Sequence, residues 1–373
     1  MRKERRSFPE KVFLSLIWRL GLWSNFHSLF WKTVSATDFS TILFKNEVSD
    51  LESLQVNNLF SKAAQRSYSS QNKLWQKQDE LLCKFTQPVF VEPSGGLILL
   101  DSQTVIEESR IHSYKFPDLS VKFKLKSAIE IEAAYYFDGY VGSSYYHFFS
   151  EVLSAFFVFK SCNINVPLIV SQKIFDSKLF QYLLLNTDLK RYDIIVQKEV
   201  TLKVNHLYLA KGAFSQSYWT GLRLWVTNVQ QKNTKNRRVF LNRDRGVGRT
   251  IKNEREIFEI LHKFGFEILD TESYTVEDQI ELMSETQWLI GIHGAGLTNI
   301  LFLDKGKANV IEINPIFIGE ENLRPHYYWL ANCLGINYQC LPTEGLDKND
   351  NFHLSASLLE EYLNKLILRN DNV

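Results

Sequence analysis

Three short stretches of this chain place reactive or anion-binding side chains at spacings that could do chemistry. The first is His293-Gly294-Ala295-Gly296, followed by Leu297, Thr298 and Asn299. Small residues let a backbone turn sharply and approach a ligand closely. A helix beginning here would offer free amide groups and the positive end of its dipole to a phosphate or diphosphate. Thr298 and Asn299 would add polar side chains in its first turn, with His293 at the flank. The pattern is not the G-x-G-x-x-G dinucleotide fingerprint, and a plain strand-to-helix turn with a capped histidine also satisfies it. The second stretch carries Arg243, Arg245 and Arg249. Guanidinium forks match phosphate oxygens in bidentate geometry, although such a run is more often a solvated basic loop. The third is His147 with Glu151 one helical turn later. A histidine oriented by a carboxylate is a general-base arrangement, whereas a lone histidine on an apolar helix is more often a satisfied core residue. Glu312, in the apolar stretch NVIEI, could accept from ribose hydroxyls, cap a neighbour or form an ion pair.

The elements that must position these groups follow from hydrophobic periodicity. Strands are expected at VPLIV (166–170) and YDIIV (192–196), with a helix over 173–186 between them. A long buried helix is expected from SSYYHFFSEVLSAFFVFKSC, on the spacing of Phe149, Val152, Phe156 and Phe159. Another helix is expected around 216–231, while residues 35–80 read as polar and mostly helical. The second half alternates more clearly. Strands RRVFLNR, FEILD, WLIGI, NVIEI and INYQCL are interleaved with helical patterns over 253–265, VEDQIELMSE, GLTNILFL and HYYWLANCLG. Gly265 is the expected stop of the first of these helices, and Thr275 with Asp278 forms a capping-box-like start for the second. Such alternation predicts a parallel sheet covered on both faces, in which ligands bind beyond the C-terminal ends of the strands. The arginine loop and the HGAG turn then fall on one sheet edge. The expected division is an amphipathic basic and aromatic segment over 1–34, an α/β domain over 35–233, a Rossmann-like domain over 234–345, and a C-terminal helical segment over 346–373 that crosses back to the first domain.

Composition narrows the classes. The chain has 373 residues, 45% hydrophobic and 23% charged, which is globular, and a net charge of +1 gives no overall field for nucleic acid. Cys83, Cys162, Cys333 and Cys340 lack C-x-x-C spacing, so unpaired core cysteines in a reducing compartment are expected and no structural metal. The N-terminus begins MRKERR and continues with apolar residues interrupted by Arg19, with no small-residue cleavage site. The run is too broken to span a bilayer, and its pattern fits a helix lying on an anionic membrane face or packed on another chain or its own domain. No Asp-x-Asp, G-x-S-x-G or G-K-[ST] occurs. P-loop and serine-hydrolase readings therefore fall away, and any diphosphate leaving group falls to arginines and a helix N-terminus, without a metal.

The stretches RRVFLNRDRGVGRTIKNEREI, YTVEDQIELMSETQWLIGIHGAGLTNILFL and VIEINP, with YYHFFSE upstream, resemble the glycosyltransferase family 61 domain, also called DUF563. The resemblance runs over residues 140–345. It implies a GT-B-like α/β fold, with two Rossmann-like domains facing a central cleft. It also implies inverting, metal-independent transfer of a sugar from a nucleotide-sugar donor, with UDP the expected nucleotide and no cofactor. The family includes plant β-xylosyltransferases, secretory-pathway protein O-GlcNAc transferases and bacterial capsule or surface-polysaccharide enzymes. The chain is closer to the cytoplasmic bacterial type because it shows no signal or anchor, and its acceptor is then a saccharide or lipid-linked saccharide. Peripheral contact with the inner membrane face or homo-oligomerisation would run through residues 1–34. Carried onto this sequence, Arg243, Arg249, Asn253, His293, Gly294, Ala295, Gly296, Thr298, Asn299 and Glu312 hold the donor, and His147 with Glu151 acts on the acceptor. The alternatives are a Rossmann-type dehydrogenase or epimerase, or an inactive scaffold of a polysaccharide assembly complex.

Overall fold

The computed structural model describes residues 31–48, 78–93, 96–109, 125–137, 144–227, 236–243, 249–315, 324–343 and 351–370. The expected amphipathic N-terminal segment lies outside these up to residue 30, as do Arg245 and most of its loop. The chain separates into two units. The first comprises the described residues up to Asn46, Asp79–Ser177 and Lys190–Gly212; the second comprises the described residues of Glu47–Gln78, with Lys178–Leu189 and Ala213 onward.

The first unit is built on a mixed sheet. Its strands are β1 (Lys32–Val34), β2 (Ser40–Val48), β3 (Gln78–Phe85), β4 (Val89–Val91), β5 (Ile98–Leu99), β6 (Thr104–Ile106), β7 (Ile129–Tyr136), β8 (Leu168–Ser171), β9 (Ile194–Gln197) and β10 (Leu202–Lys211). They run in the order β1-β6-β5-β4-β10-β7-β8-β9, with β3 also on β10 and β2 on β3. Only the half β10-β7-β8-β9 is a continuous parallel array. Beside it, β3 and β4 lie antiparallel to β10, and β4, β5 and β6 pair antiparallel in turn. This half departs from the Rossmann-like expectation for a physical reason. β3, β4, β5 and β6 follow one another through connections of only a few residues, and a parallel pair needs a crossover of a dozen residues or more. The turn between β4 and β5 contains Gly96 at φ +66, a left-handed conformation. Residues 40–48 are a strand where a helix was expected, since Thr41, Ile42 and Phe44 favour extended backbone.

Helices α1 (Tyr145–His147) and α2 (Leu153–Ser161) are joined by a π-helical turn, Phe148–Val152, and α3 (Gln172–Phe175) follows β8. The expected long helix therefore exists with one wide turn inside it. Its buried rings Phe156 and Phe159 pack on Tyr135 of β7, the second stacked at 4.1 Å between centroids. The expected helix over 173–186 is split between α3 and α4.

The second unit carries the clearly alternating sequence. Strands β11 (Arg237–Leu241), β12 (Glu267–Leu269), β13 (Thr286–Ile292), β14 (Asn309–Pro315) and β15 (Asn337–Thr343) are all parallel, in the order β12-β11-β13-β14-β15. The helices are α4 (Lys178–Asn186), α5 (Gln216–Thr227), α6 (Glu254–Lys263), α7 (Val276–Ser284), α8 (His326–Cys333) and α9 (Ala356–Asn370). The capping box forms as the sequence predicts. Thr275 Oγ1 accepts from the Asp278 amide at 3.1 Å, and Asp278 Oδ2 accepts from the Thr275 amide at 3.2 Å. Gly265, at φ +74, ends α6, where Phe266 N–H reaches the Leu261 carbonyl at 2.9 Å.

Helices α4 and α5 group with this second unit, although the sequence reading places both in the 35–233 domain. They are tied to each other by Tyr182 Oη donating to the Val226 carbonyl at 3.1 Å and by Trp225 Nε1 donating to Asp188 Oδ1 at 2.6 Å. Helix α9, expected from the sequence to reach the first domain, packs in the core of the second unit. Leu359, Leu363, Leu366 and Ile367 join Ile257 and Leu261 of α6 in the core of the second. Each fully buried aliphatic contributes roughly 1.5–3 kcal/mol, whereas an exposed pair such as Lys263–Glu360 is worth under about 1 kcal/mol, so the apolar stripe sets the docking direction.

None of the four cysteines forms a disulfide. Among the described residues no helix is long and apolar enough to cross a membrane.

Candidate active site

The strand order reverses between β11 and β13, which extend in opposite sequence directions across the sheet. In open parallel sheets this switch point opens a crevice beyond the carboxyl ends of the two strands, and ligands bind there. The two basic and glycine-rich segments of the sequence follow these same two strands. Arg243 lies just beyond β11, and His293-Gly294-Ala295-Gly296 just beyond β13.

The turn is held from below. Strand β13 is buried along nearly its whole length, and His293 N–H extends its pairing by donating to the Ile313 carbonyl of β14 at 2.8 Å. The helix that follows, Ala295–Phe302, is 3₁₀ and not α, opening with Leu297 N–H on the Gly294 carbonyl at 2.9 Å. Leu297, Thr298, Asn299, Ile300, Leu301 and Phe302 are all buried, so the segment is a core plug rather than an amphipathic surface helix. Its leading amides have no intrahelical acceptor, as at any helix start.

Both described arginines reach the same atom. The carbonyl of His293 accepts from Arg249 Nη1 at 2.7 Å and from Arg243 Nη1 at 3.3 Å. Gly294 leaves room for them: a Cβ there would lie 2.1 Å from Arg243 Nη1 and 3.7 Å from Arg249 Nη1, and would push the Arg243 guanidinium aside. Two like-charged guanidiniums over one turn repel each other, and a phosphate-bearing ligand relieves that repulsion while offering each a bidentate partner. Arg249 stands at φ +61, in the left-handed region that non-glycine residues avoid at a cost of roughly 1–2 kcal/mol. Strain of this kind persists where the surroundings impose it, and such positions cluster at ligand clamps.

A glycine replacement separates the two roles of this residue. Arg249→Gly should leave the thermal midpoint unchanged or raised, since relief of backbone strain opposes the added chain entropy. It should also weaken binding of a nucleoside diphosphate by about tenfold through loss of one charge-assisted hydrogen bond. Thermal unfolding beside a binding titration checks both, and a destabilisation equal to that of Arg249→Ala would deny the strain.

Other residues named from the sequence have different surroundings. Glu312, on β14, has no exposed surface. Its Oε1 lies 2.5 Å from His293 Nδ1, and its Oε2 accepts from the Tyr338 hydroxyl of β15. A ribose could reach it only by displacing these partners. Asn253 sits at the start of α6, with its amide engaged on the chain between β15 and α9. Nδ2 donates to the Leu354 carbonyl and to Glu256 Oε2, both at 2.8 Å, and Oδ1 accepts from Leu354 N–H at 3.1 Å. Asn253 therefore braces the start of α6 against the segment around Leu354. Around it, Lys252 N–H donates to the Phe352 carbonyl at 2.8 Å, Phe352 N–H to the Thr250 carbonyl at 3.1 Å, and Thr250 N–H to Asn351 Oδ1 at 3.1 Å. Asn299 Nδ2 donates to Gln279 Oε1 at 3.2 Å, tying the 3₁₀ helix to α7. The Thr298 hydroxyl is fully buried with no hydrogen-bond partner among the described residues.

In the first unit, His147 Nδ1 lies 2.6 Å from Glu151 Oε1. The side chains are 33% and 36% exposed, so solvent and a ligand can reach the pair. The π-helical turn begins just after His147 and contains Glu151, and Ser154 Oγ donates to the backbone carbonyls of Ser150 (2.8 Å) and Glu151 (3.0 Å). Single π turns inserted in α-helices recur at functional sites. Gly212, just after β10, lets the chain pass close to this point: a Cβ on it would lie 2.3 Å from the Ser154 carbonyl carbon.

Sequence reading missed Tyr338 and the π turn. Alternation within INYQCL could have put Tyr338 and Cys340 on one face, but only the pairing of β15 with β14 sets that face beside Glu312. A one-residue widening of a helix leaves no periodic signature in so short a segment.

Residues 145–311 match the family model described as Glycosyltransferase 61. That stretch contains the His147–Glu151 pair, both described arginines and the HGAG turn, and it ends one residue before Glu312. The chain is also 33% identical over 98 residues to mouse (Mus musculus) protein O-linked-mannose β-1,4-N-acetylglucosaminyltransferase 2, a match covering 26% of this chain and 17% of the relative. Both findings support a glycosyltransferase.

Proposed function

We propose, taking the glycosyltransferase 61 domain over residues 145–311 as premise, that this chain transfers a sugar from a UDP-sugar donor to a saccharide acceptor with inversion at the anomeric carbon. The observation that carries the reading is the convergence of Arg243 and Arg249 on the His293 carbonyl at the switch point of a parallel sheet. A nucleoside diphosphate satisfies that geometry, with its negative charge between two guanidinium forks and the amides of Gly294, Ala295 and Gly296.

The chemistry is a single displacement. The acceptor oxygen bonds to the anomeric carbon as the bond from that carbon to the diphosphate oxygen breaks, and the electron pair leaves with UDP. The acceptor proton passes to His147, oriented through Nδ1 by Glu151. Arg243 and Arg249 stabilise the charge that grows on the leaving diphosphate, the task that metal-dependent enzymes give to a cation. The metal-independent reading rests on these arginines together with the lack of an Asp-x-Asp in the sequence. The two units are read as a GT-B pair, and the working location as the cytoplasmic face of a membrane where surface polysaccharide or another glycan is assembled. The relative's name makes UDP-N-acetylglucosamine the first donor to try.

A thermal-shift panel with UDP, GDP, CMP and NAD, each with and without EDTA, tests the reading. A ligand at about a hundred times its dissociation constant adds roughly 2.7 kcal/mol of stability. Stabilisation by UDP that EDTA leaves unchanged is the expected result. Stabilisation by NAD alone would transfer the sheet to a dehydrogenase, and a UDP shift abolished by EDTA would end the metal-free reading.

A further inference from the structure

We infer that Glu312 and Tyr338 are positioning residues that fix the His293 imidazole in its Nδ1–H form and so steady the anion turn. The inference rests on the reading of that turn as the donor site, and it replaces ribose binding as the role of Glu312.

Glu312 is completely buried, and each of its oxygens has a named partner: His293 Nδ1 on one side and the Tyr338 hydroxyl on the other. A carboxylate only accepts hydrogen bonds, so both partners must donate and the proton on the imidazole must sit at Nδ1. A carboxylate buried without donors would cost several kcal/mol, and the trio offsets this by satisfying both oxygens. The restraint extends to neighbouring rings. Tyr327 packs edge-on against His293 at 5.3 Å between centroids, and Tyr338 rests on Tyr328 at 5.4 Å. His293 is only 4% exposed, so its ring cannot turn without breaking this set.

The placement of His293 gives the restraint a function. Its carbonyl is the atom on which Arg243 and Arg249 converge, its amide is fixed to Ile313, and Gly294 follows it. A carboxylate beneath a histidine sets tautomer and orientation in the manner of catalytic and metal-bound histidines. The sheet core then steadies the residue that carries the arginine clamp.

The test is ¹⁵N NMR of the imidazole of His293, assigned with His293→Gln as reference, in the wild-type chain, Glu312→Gln and Tyr338→Phe. Tyr338→Phe removes one hydroxyl and keeps the ring, so it gives a reading even if Glu312→Gln folds poorly. The expected result is a protonated Nδ1 in the ligand-free wild type and a mixture of tautomers in Glu312→Gln. Tyr338→Phe should retain the tautomer in part and lose UDP affinity by several-fold, and Glu312→Gln by about tenfold. An Nε2–H tautomer in the wild type, or a tautomer unchanged by Glu312→Gln, overturns the inference. If the wild type binds no nucleotide yet shows the Nδ1–H form that Glu312→Gln loses, the nucleotide reading fails and the positioning role stands.

Discussion

Alanine at His147 should lower kcat by about 10²–10⁴-fold while leaving UDP affinity unchanged. That range is the usual contribution of a positioned general base. The residue has the required parts: an imidazole partly open to solvent, a carboxylate 2.6 Å from Nδ1, and a π turn that holds the two in that relation. The split between the parameters is diagnostic, because a base acts on the acceptor hydroxyl during transfer and adds nothing to donor binding. Glu151→Gln should reduce kcat less, by about tenfold, since the imidazole stays in place and loses only its orienting charge. Steady-state kinetics with a UDP-sugar, beside a UDP titration, measures both quantities. Near-normal turnover in His147→Ala would remove this residue from the base role and return the pair to a structural one.

The second large effect is expected at Arg243. Arg243→Ala removes a guanidinium lying directly over Gly294, and the lost charge-assisted hydrogen bonds amount to about 1.5–3 kcal/mol, or roughly 10–100-fold in UDP affinity. Here kcat/KM should fall further than the affinity for UDP. The charge on the diphosphate grows as the bond breaks, so the guanidinium interacts more strongly with the transition state than with the bound donor. Arg243→Lys should recover only part of the loss, because an ammonium supplies the charge without the planar fork. Isothermal titration with UDP and initial-rate measurements decide the matter, and full affinity in Arg243→Ala would refute the assignment.

Much of the second unit was legible in the sequence because its local signals agree with its packing. The strand RRVFL, the stripe of Ile257 and Leu261, the stop at Gly265 and the cap at Thr275 each point to the element that forms. The adjacency of the arginines to HGAG also followed from a rule about parallel sheets. The first unit was read less well. Its short antiparallel strands are specified by pairing partners far along the chain, and β2 carries a mostly exposed pattern that no buried face disciplines. Within the site, the hydrogen-bond partners of Glu312 and Asn253 were not legible. Glu312 and Asn253 looked like ligand contacts because a carboxylate and an amide stood near strand and helix ends. Their partners, Tyr338 and Leu354, come from segments that only the tertiary fold brings near.

The small bridge between Thr250–Asn253 and Asn351–Leu354 also bears on how such chains diversify. It joins residues 101 positions apart, and its far half lies beyond residue 311, where the family match stops. The loop that delivers Arg249 is thus footed on a stretch outside the shared domain. Exchange of the C-terminal part between relatives would bring in a tail whose Asn351 and Leu354 positions must still meet Thr250 and Asn253. A tail that lacked these partners would leave the segment following Arg249 without its footing.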